Sequence, residues 1–104
     1  MKFSVEYTTL SKADLKALDK SQACQVRKAI ERVSKNPLPK SEGGYGTPLG
    51  HKDGKNLTGL CRIKLLKLGI RVVYKIIREE EMMRIIVIAA RTDEEVYEIA
   101  STRI

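Results

Sequence analysis

The second half of the chain contains three β-rich runs, at residues 60–67, 71–78 and 83–91, each separated from the next by only a few residues. A glycine-containing stretch separates the first two runs, and a triplet of glutamates separates the last two. Strands with connections this short pair as antiparallel neighbours, because a parallel pair needs a crossover of a dozen or more residues. The sequence therefore predicts a three-stranded antiparallel meander.

The first half predicts one short strand followed by two helices. Residues 1–7 alternate between apolar and polar side chains, as in a strand, and Thr8 and Thr9 can cap a following helix of about ten residues. A second helix is predicted from Ser21 to the Asn36-Pro37 pair, since proline disfavours helix at the residue before it. The apolar residues that recur at helical spacing are Leu15 and Leu18 in the first helix, and Ala23, Val26, Ile30 and Val33 in the second.

A third helix is predicted at the end of the chain, where Thr92 and Glu95 form a capping box and the helix continues to about Ser101. The predicted order is β-α-α-β-β-β-α, an α+β fold whose two N-terminal helices pack on a small, mainly antiparallel sheet. Residues 37–56 contain all three prolines and five of the seven glycines, so we expect one long irregular connection there. A chain of 104 residues has room for one core, and residues 1–104 are expected to form a single domain.

The positive charge is concentrated in one segment. Of the 20 basic residues, eight lie at residues 52–78 with a single acid, Asp53, and this segment carries the whole net charge of +7. The concentration favours a phosphate-bearing partner, although a small protein that is merely basic has the same total. Two unpaired cysteines and one histidine predict neither a zinc site nor a disulfide. The apolar runs are too short to cross a bilayer, so we expect no membrane span, no secretion signal and a cytoplasmic protein.

The pairing of the first two meander strands predicts where these cations point. A turn centred on Leu68 and Gly69 pairs Leu66 with Arg71, Lys64 with Val73, and Arg62 with Lys75. One face then carries Arg62, Lys64, Arg71 and Lys75, and the other carries Cys61, Ile63, Leu65, Val72, Tyr74 and Ile76. Like charges on neighbouring strands repel, and this face contains no acid. We therefore interpret it as a ligand-binding surface rather than a solvated one.

Residues outside this face are also considered as candidates for the site. Arg91 and Tyr97 join the four cations if the closing helix returns across the sheet edge, although a strand-end arginine is commonly a salt-bridge partner and a helix tyrosine commonly packs. His51 is expected to be a solvated loop residue. Tyr74 and Cys61 are assigned to the core.

Residues 60–100 combine several motifs in a fixed order: an R-x-K strand with Arg62 and Lys64, a G-x-R-V-V-Y strand with Arg71, then Arg91, then an E-V-Y helix start with Tyr97. In this order they resemble the RelE family of bacterial type II toxin–antitoxin toxins. The resemblance implies a RelE-like, microbial ribonuclease-type fold and a ribosome-dependent mRNA endoribonuclease. Such a toxin cleaves the message in the A site of the 70S ribosome, in the cytoplasm of a bacterium or archaeon, and a cognate RelB-like antitoxin neutralises it.

The expected site follows from the resemblance and from the predicted face. We expect Lys64, Arg71, Arg91 and Tyr97 to be catalytic, and Arg62, Lys64, Lys67 and Lys75 to bind RNA, with no metal and no cofactor. The first of the paired strand cations, often lysine in this family, is Arg62 here. Arginine does not readily give up its proton, so proton transfer falls to Lys64 or Tyr97. Such a site would cleave free RNA poorly, which is a reason for the ribosome to position the message.

Two other functions remain open from the sequence. A ParE-like toxin of the same fold would inhibit DNA gyrase without catalysis, and the fold alone does not separate the two. A plain nucleic-acid-binding module is disfavoured by the low aromatic content of five residues, because single-strand binders usually stack bases on exposed rings.

Overall fold

The computed structural model describes residues 2–52 and 54–104, which form a five-stranded sheet and three α-helices. The strands are β1 (Ser4–Tyr7), β2 (Thr47–Lys52), β3 (Lys55–Leu65), β4 (Ile70–Ile77) and β5 (Met82–Ala89). Their order in the sheet is β1-β5-β4-β3-β2, with β1 parallel to β5 and every other pair antiparallel. The helices are α1 (Thr9–Lys16), α2 (Lys20–Ser34) and α3 (Asp93–Arg103). The predicted α+β fold, its meander and its three helices are confirmed.

Each helix begins at a side-chain cap. The side chain of Thr8 accepts a hydrogen bond from the backbone of Ser11 at the start of α1. Asp19 caps α2, which therefore begins one residue before the predicted start at Ser21. The predicted capping box of Thr92 and Glu95 is present at α3. None of the described helices is long and apolar enough to span a bilayer.

The helices lie on both faces of the sheet. Helices α1 and α2 cover one face, as predicted, in a cluster that includes Phe3, Val26, Ile30, Cys61, Val72, Tyr74 and Ile85. Helix α3 covers part of the other face, in a second cluster of Leu49, Leu57, Leu60, Val73, Ile86, Val87, Val96, Tyr97 and Ala100. The closing helix therefore returns over the sheet, which was the condition for Tyr97 to approach the strand cations. The face that carries the predicted cations also has an apolar part, formed by the second cluster, and α3 packs on that part.

The prediction that residues 37–56 form one irregular connection is wrong for its second half. Strand β2 pairs with β3 from Thr47 onward and lies at the edge of the sheet. Pro48 and Gly50 conceal this strand in the sequence, since both residues are usually absent from strand interiors. An edge position tolerates Pro48, because the missing N–H is not needed there, and the register shifts between Pro48 and Gly50.

The predicted register of the β3–β4 hairpin is wrong by two residues, while the predicted faces are confirmed. Lys64 pairs directly with Arg71 rather than with Val73. The turn contains four residues, 66–69, and closes with Gly69 at a φ of 66°, a left-handed conformation that suits glycine. A shift of two residues keeps every side chain on its face, because side chains alternate with a period of two.

Candidate functional site

The predicted strand cations form the floor of the site. Arg62 and Lys64 are on β3, and Lys64 lies directly opposite Arg71 on β4. The three side chains share the α3 face and retain 22%, 31% and 23% of their exposure. They border the apolar cluster under α3, so they are partly shielded from water. Charge interactions are stronger at such a position than on an open surface.

Asp93, the first residue of α3, stands at the centre of these cations. Its carboxylate lies 3.1 Å from Lys64 Nζ and 3.6 Å from the Arg62 guanidinium, and it accepts a hydrogen bond from Arg71 Nε. The expectation of a face with no acid is therefore wrong, because α3 brings Asp93 to the face from outside the two strands. We call Arg62, Lys64, Arg71 and Asp93 the cationic cluster.

The electrostatics of Asp93 reflect this arrangement. Burial raises the pKa of its carboxyl, but the hydrogen bonds from Arg71 and Lys64 and their positive charges outweigh burial, so the pKa lies below its ordinary value. The carboxylate also lies in the first turn of α3, where the helix dipole favours negative charge. The Asp93 oxygens therefore mark a position in which this protein holds an anion.

Arg71 also has a structural role that the sequence did not indicate. Its guanidinium donates to the backbone carbonyls of Arg91 at 2.5 Å and of Gly69 at 3.3 Å, in addition to Asp93. These bonds tie the turn after β3, the end of β5 and the start of α3 to one side chain. Because of these contacts, we expect removal of the Arg71 side chain to lower the stability of the fold.

Tyr97 joins the cluster from one turn further along α3. Its ring is 5% exposed in the apolar cluster under the helix, and its hydroxyl oxygen accepts a hydrogen bond from Arg62. Packing fixes the ring, so the hydroxyl is held at the edge of the cluster. Tyr97 therefore packs its ring in the core and also contacts Arg62 through its hydroxyl, as a buried tyrosine commonly does.

The remaining predicted residues lie around the cluster rather than in it. The Arg91 side chain is 59% exposed and pairs with Glu95 at 3.5 Å, whereas its backbone carbonyl contacts Arg71. Lys75 is on the same face but exposed, and Lys67 is exposed in the turn between β3 and β4. Neither lysine has a carboxylate within 4 Å among the described residues. His51 is exposed, as expected, but it lies in strand β2 and not in a loop. Tyr74 and Cys61 are buried in the core, as expected.

Two depressions adjoin the cluster. The first, of about 840 Å³, lies between α1, the end of β5 and α3, and both Arg71 and Arg91 line it, so the structure brings these two arginines to one groove. We call it the α3 groove. The second, of about 480 Å³, is lined by Arg62 and Lys64 and by a tyrosine, Tyr45, that the sequence did not single out. We call it the Tyr45 recess.

The structure adds three residues to the predicted set. For Asp93, the one signal in the sequence is its place in the capping segment between Thr92 and Glu95, shortly before the predicted Tyr97. Tyr45 was hidden in the glycine-rich connection, where a lone aromatic residue between two glycines was the signal. Glu95 combines its capping role with the ion pair to Arg91. Within residues 2–52 and 54–104, no group of three or more potential metal ligands is found.

The α+β fold of this chain is similar to solved structures of RelE toxins. A free variant of the E. coli toxin RelE matches all of this chain over 99% of its own length, with a TM-score of 0.79 and 22% identity. The same toxin with an antitoxin peptide matches with a TM-score of 0.72, also at 22% identity, over 100% of this chain and 99% of the toxin.

A third similar structure is the toxin–antitoxin complex RelBE2 from Mycobacterium tuberculosis. Its matching chain has a TM-score of 0.70 and 23% identity, over 89% of this chain and 95% of that one. No protein-family model and no curated protein sequence matches the chain. The chain therefore has the RelE toxin fold.

Proposed function

We propose that this protein is the toxin of a type II toxin–antitoxin system and that it cleaves mRNA on the ribosome. The observation that carries the proposal is the cationic cluster: Arg62, Lys64 and Arg71 converge on one anion position, and the Tyr97 hydroxyl lies at its edge. Converging cations with a positioned hydroxyl are the groups that a phosphoryl-transfer site needs. The RelE fold of the whole chain supports the same function.

The proposed chemistry is attack of the RNA 2′-hydroxyl on the adjacent phosphorus. The 2′-oxygen loses a proton and bonds to phosphorus, the bond to the 5′-oxygen breaks, and the leaving oxygen gains a proton. Arg71 stabilises the charge on the pentacoordinate phosphorane, with Arg91 contributing from the rim of the α3 groove. The two proton transfers fall to Lys64 and Tyr97. This chemistry requires no metal ion, since the cations are already in place.

Asp93 sets a condition on this mechanism. Its carboxylate occupies the anion position in the free protein, so a phosphate must either displace it or bind beside it. Both routes cost free energy, because the Asp93 carboxylate loses a cation or meets a like charge. A site of this kind cleaves a loosely held RNA poorly. A ribosome that holds the message against the site can supply the positioning that the protein lacks.

We propose that the partner that restrains this activity is a RelB-like antitoxin with an acidic segment. Two of the similar structures are toxin–antitoxin complexes, and the exposed cations of this chain favour an acidic partner. We expect the affinity to fall as the salt concentration rises, because exposed charge pairs are screened. Titration of the antitoxin at low and high ionic strength checks this, and an affinity independent of salt would contradict an electrostatic contribution.

The test of the function is single-turnover cleavage of a message on programmed ribosomes, read by primer extension. We expect cleavage by the wild type and a loss on the order of 10²-fold in Lys64→Gln, with ribosome binding measured separately. Lys12→Gln, an exposed lysine on α1 that lines neither depression, is the matched control and should cleave like the wild type. Inhibition of DNA gyrase supercoiling without any cleavage would refute the proposal in favour of a ParE-like toxin.

A further inference from the structure

One aromatic ring of this protein is exposed. Of the five aromatic residues, Phe3, Tyr74 and Tyr97 are buried and Tyr7 is half-buried, whereas Tyr45 retains 56% of its exposure. A single exposed tyrosine is not unusual in itself, but tyrosine is enriched at binding interfaces, because its ring is apolar and its hydroxyl can stay in water. Neither the cationic cluster nor the α3 groove uses this ring.

The backbone on both sides of Tyr45 is closely packed. A Cβ atom at Gly44 would lie 2.0 Å from the Leu38 carbonyl oxygen, and one at Gly46 would lie 2.4 Å from the Tyr74 hydroxyl. Both positions therefore require glycine, because backbone or buried side-chain atoms occupy the space of a side chain. The backbone N–H of Tyr45 donates to the Asn36 carbonyl at 2.9 Å. The tyrosine is thus the one side chain that projects from a tightly held three-residue segment.

The rest of this connection is also anchored. The Tyr74 hydroxyl donates to the Pro37 carbonyl at 2.7 Å, inside the core. Glu42, in the short 3-10 turn Lys40–Glu42, accepts two hydrogen bonds from the Arg78 guanidinium, at 2.7 and 3.0 Å. A fixed backbone lowers the entropy that a side chain must lose when it binds, so the Tyr45 ring is presented in a form ready for contact.

The Tyr45 recess is positively charged. Among the residues that the structure describes, its lining contains four cations, Arg32, Lys40, Arg62 and Lys64, and no carboxylate. Arg62 and Lys64 also belong to the cationic cluster, so the recess is continuous with the proposed site of cleavage. Arg32 and Lys40 have no carboxylate within 4 Å among the described residues, which leaves their charges available to a ligand. Leu66, 81% exposed, adds an apolar edge.

We infer that the Tyr45 recess binds a segment of the single-stranded RNA substrate next to the scissile phosphate, with a base stacked on Tyr45 and phosphates held by Arg32 and Lys40. An exposed ring beside unpaired cations is the combination by which proteins hold single-stranded RNA without reading its sequence. An acidic peptide would use the cations but leave the ring without a role. The inference rests on the proposed function, because it takes the strand in the recess to be the strand that is cleaved.

Binding is tested first without the ribosome. The probe is a fluorescent RNA hexanucleotide with 2′-O-methyl groups, which cannot be cleaved through the 2′-oxygen. We expect Tyr45→Ala to raise its Kd at least about fivefold, whereas Tyr45→Phe keeps the ring and stays within about twofold of the wild type. Equal affinity of Tyr45→Ala and wild type would overturn the inference. So would a poly-glutamate peptide that binds as tightly as the RNA and loses affinity equally in Tyr45→Ala.

The charged part of the recess has its own control. We expect Lys40→Gln to reduce the slope of log K against log salt by about 0.7, the value for one phosphate contact on a single strand. Lys12→Gln, on α1 and outside the recess, should leave the slope unchanged. A slope that changes equally in both variants would show only nonspecific attraction to a basic protein and would overturn the assignment of Lys40.

Cleavage on programmed ribosomes separates this inference from the proposed function. If Tyr45→Ala binds RNA and cleaves the message like the wild type, the proposed binding of RNA in the Tyr45 recess is refuted and the proposed function is unaffected. If the wild-type protein binds the hexanucleotide through Tyr45 but never cleaves a message, the proposed function is refuted. RNA binding in the Tyr45 recess would then still be supported. Ultraviolet crosslinking on the programmed ribosome identifies the RNA attached at Tyr45. We expect the message, and attachment to ribosomal RNA alone would overturn the assignment to the substrate strand.

Discussion

Arg71 offers the sharpest test of the site, because the structure gives it two separable roles. In Arg71→Ala the protein loses the hydrogen bonds to Asp93 and to the backbone carbonyls of Arg91 and Gly69. Hydrogen bonds that involve a charged group contribute about 1.5–3 kcal/mol each when buried, but these groups are partly exposed, so we expect a total loss of about 1–2 kcal/mol. For a chain of this size that lowers Tm by about 4–16 °C.

The catalytic role predicts a separate and larger effect. Removal of one preorganised donor to a developing oxyanion lowers a rate by about 10²–10³-fold, and we expect Arg71→Ala to lose at least about 10²-fold in single-turnover cleavage. The assay is run well below the Tm of the variant, so that the whole sample is folded. Arg71→Lys keeps the charge but cannot make all the guanidinium contacts, so its cleavage rate should lie between those of the wild type and Arg71→Ala.

Arg91→Ala is the matched comparison for stability. Its side chain is 59% exposed and its ion pair joins two exposed groups, so we expect Tm to stay within about 3 °C of the wild type. Two results would refute the reasoning on Arg71. A wild-type Tm in Arg71→Ala would show that its three contacts do not support α3. A wild-type cleavage rate in the folded variant would remove Arg71 from the catalytic set.

Three further predictions concern α3. Tyr97→Phe keeps the buried ring and deletes the hydroxyl that contacts Arg62, so we expect cleavage to fall about 10²-fold with ribosome binding retained; a wild-type rate would leave Tyr97 with packing alone. The lowered pKa of Asp93 means that its carboxylate stabilises the fold above the ordinary carboxyl pKa and that this stabilisation is lost as the pH falls through the lowered value. Melting curves should therefore show the Tm of Asp93→Asn below that of the wild type at pH 7 and the gap closing as the pH falls through the lowered pKa of Asp93, whereas a constant gap would exclude charge as the cause. Arg103 donates to the Asp14 carboxylate of α1 at 2.7 Å and to the Ile86 carbonyl of β5 at 2.8 Å, so Arg103→Met should cost about 1–3 kcal/mol in urea unfolding, and unchanged stability would contradict a role for this contact.

The faces of the sheet were predictable from the sequence because they depend only on parity. The meander was placed two residues out of register, yet Arg62, Lys64 and Arg71 still fell on one face. The exact register depends on the length of the turn, and the left-handed Gly69 at its last position extends the turn to four residues. Turn length is a local backbone preference that the strand pattern does not report.

Strand β2 could not be found by pattern, because its stability comes from its neighbour. Pro48 and Gly50 weaken any strand signal, but β3 offers a complete row of backbone groups along its edge, and Thr47 pairs with Arg62 there. Pairing with an existing strand satisfies the backbone groups of a segment that would not form a strand alone. The same pairing places the preceding connection, and with it Tyr45, beside the cations of β3.

The site differed from its prediction for a related reason. Charge summed along residues 52–78 gave a face of like charges, whereas the acid that balances it, Asp93, lies 22 residues after Arg71 and arrives on a helix. Like charges at close range cost free energy unless a counter-charge is near, so the fold itself required an acid at this position. The cluster of like charges was visible in the sequence, but the identity of the balancing acid was not. Only the return of α3 over the sheet decides which of the acids at residues 93–95 reaches the cations. The same return that supplies Asp93 also supplies Tyr97, and for that reason the stability and the proposed chemistry of this site depend on one helix.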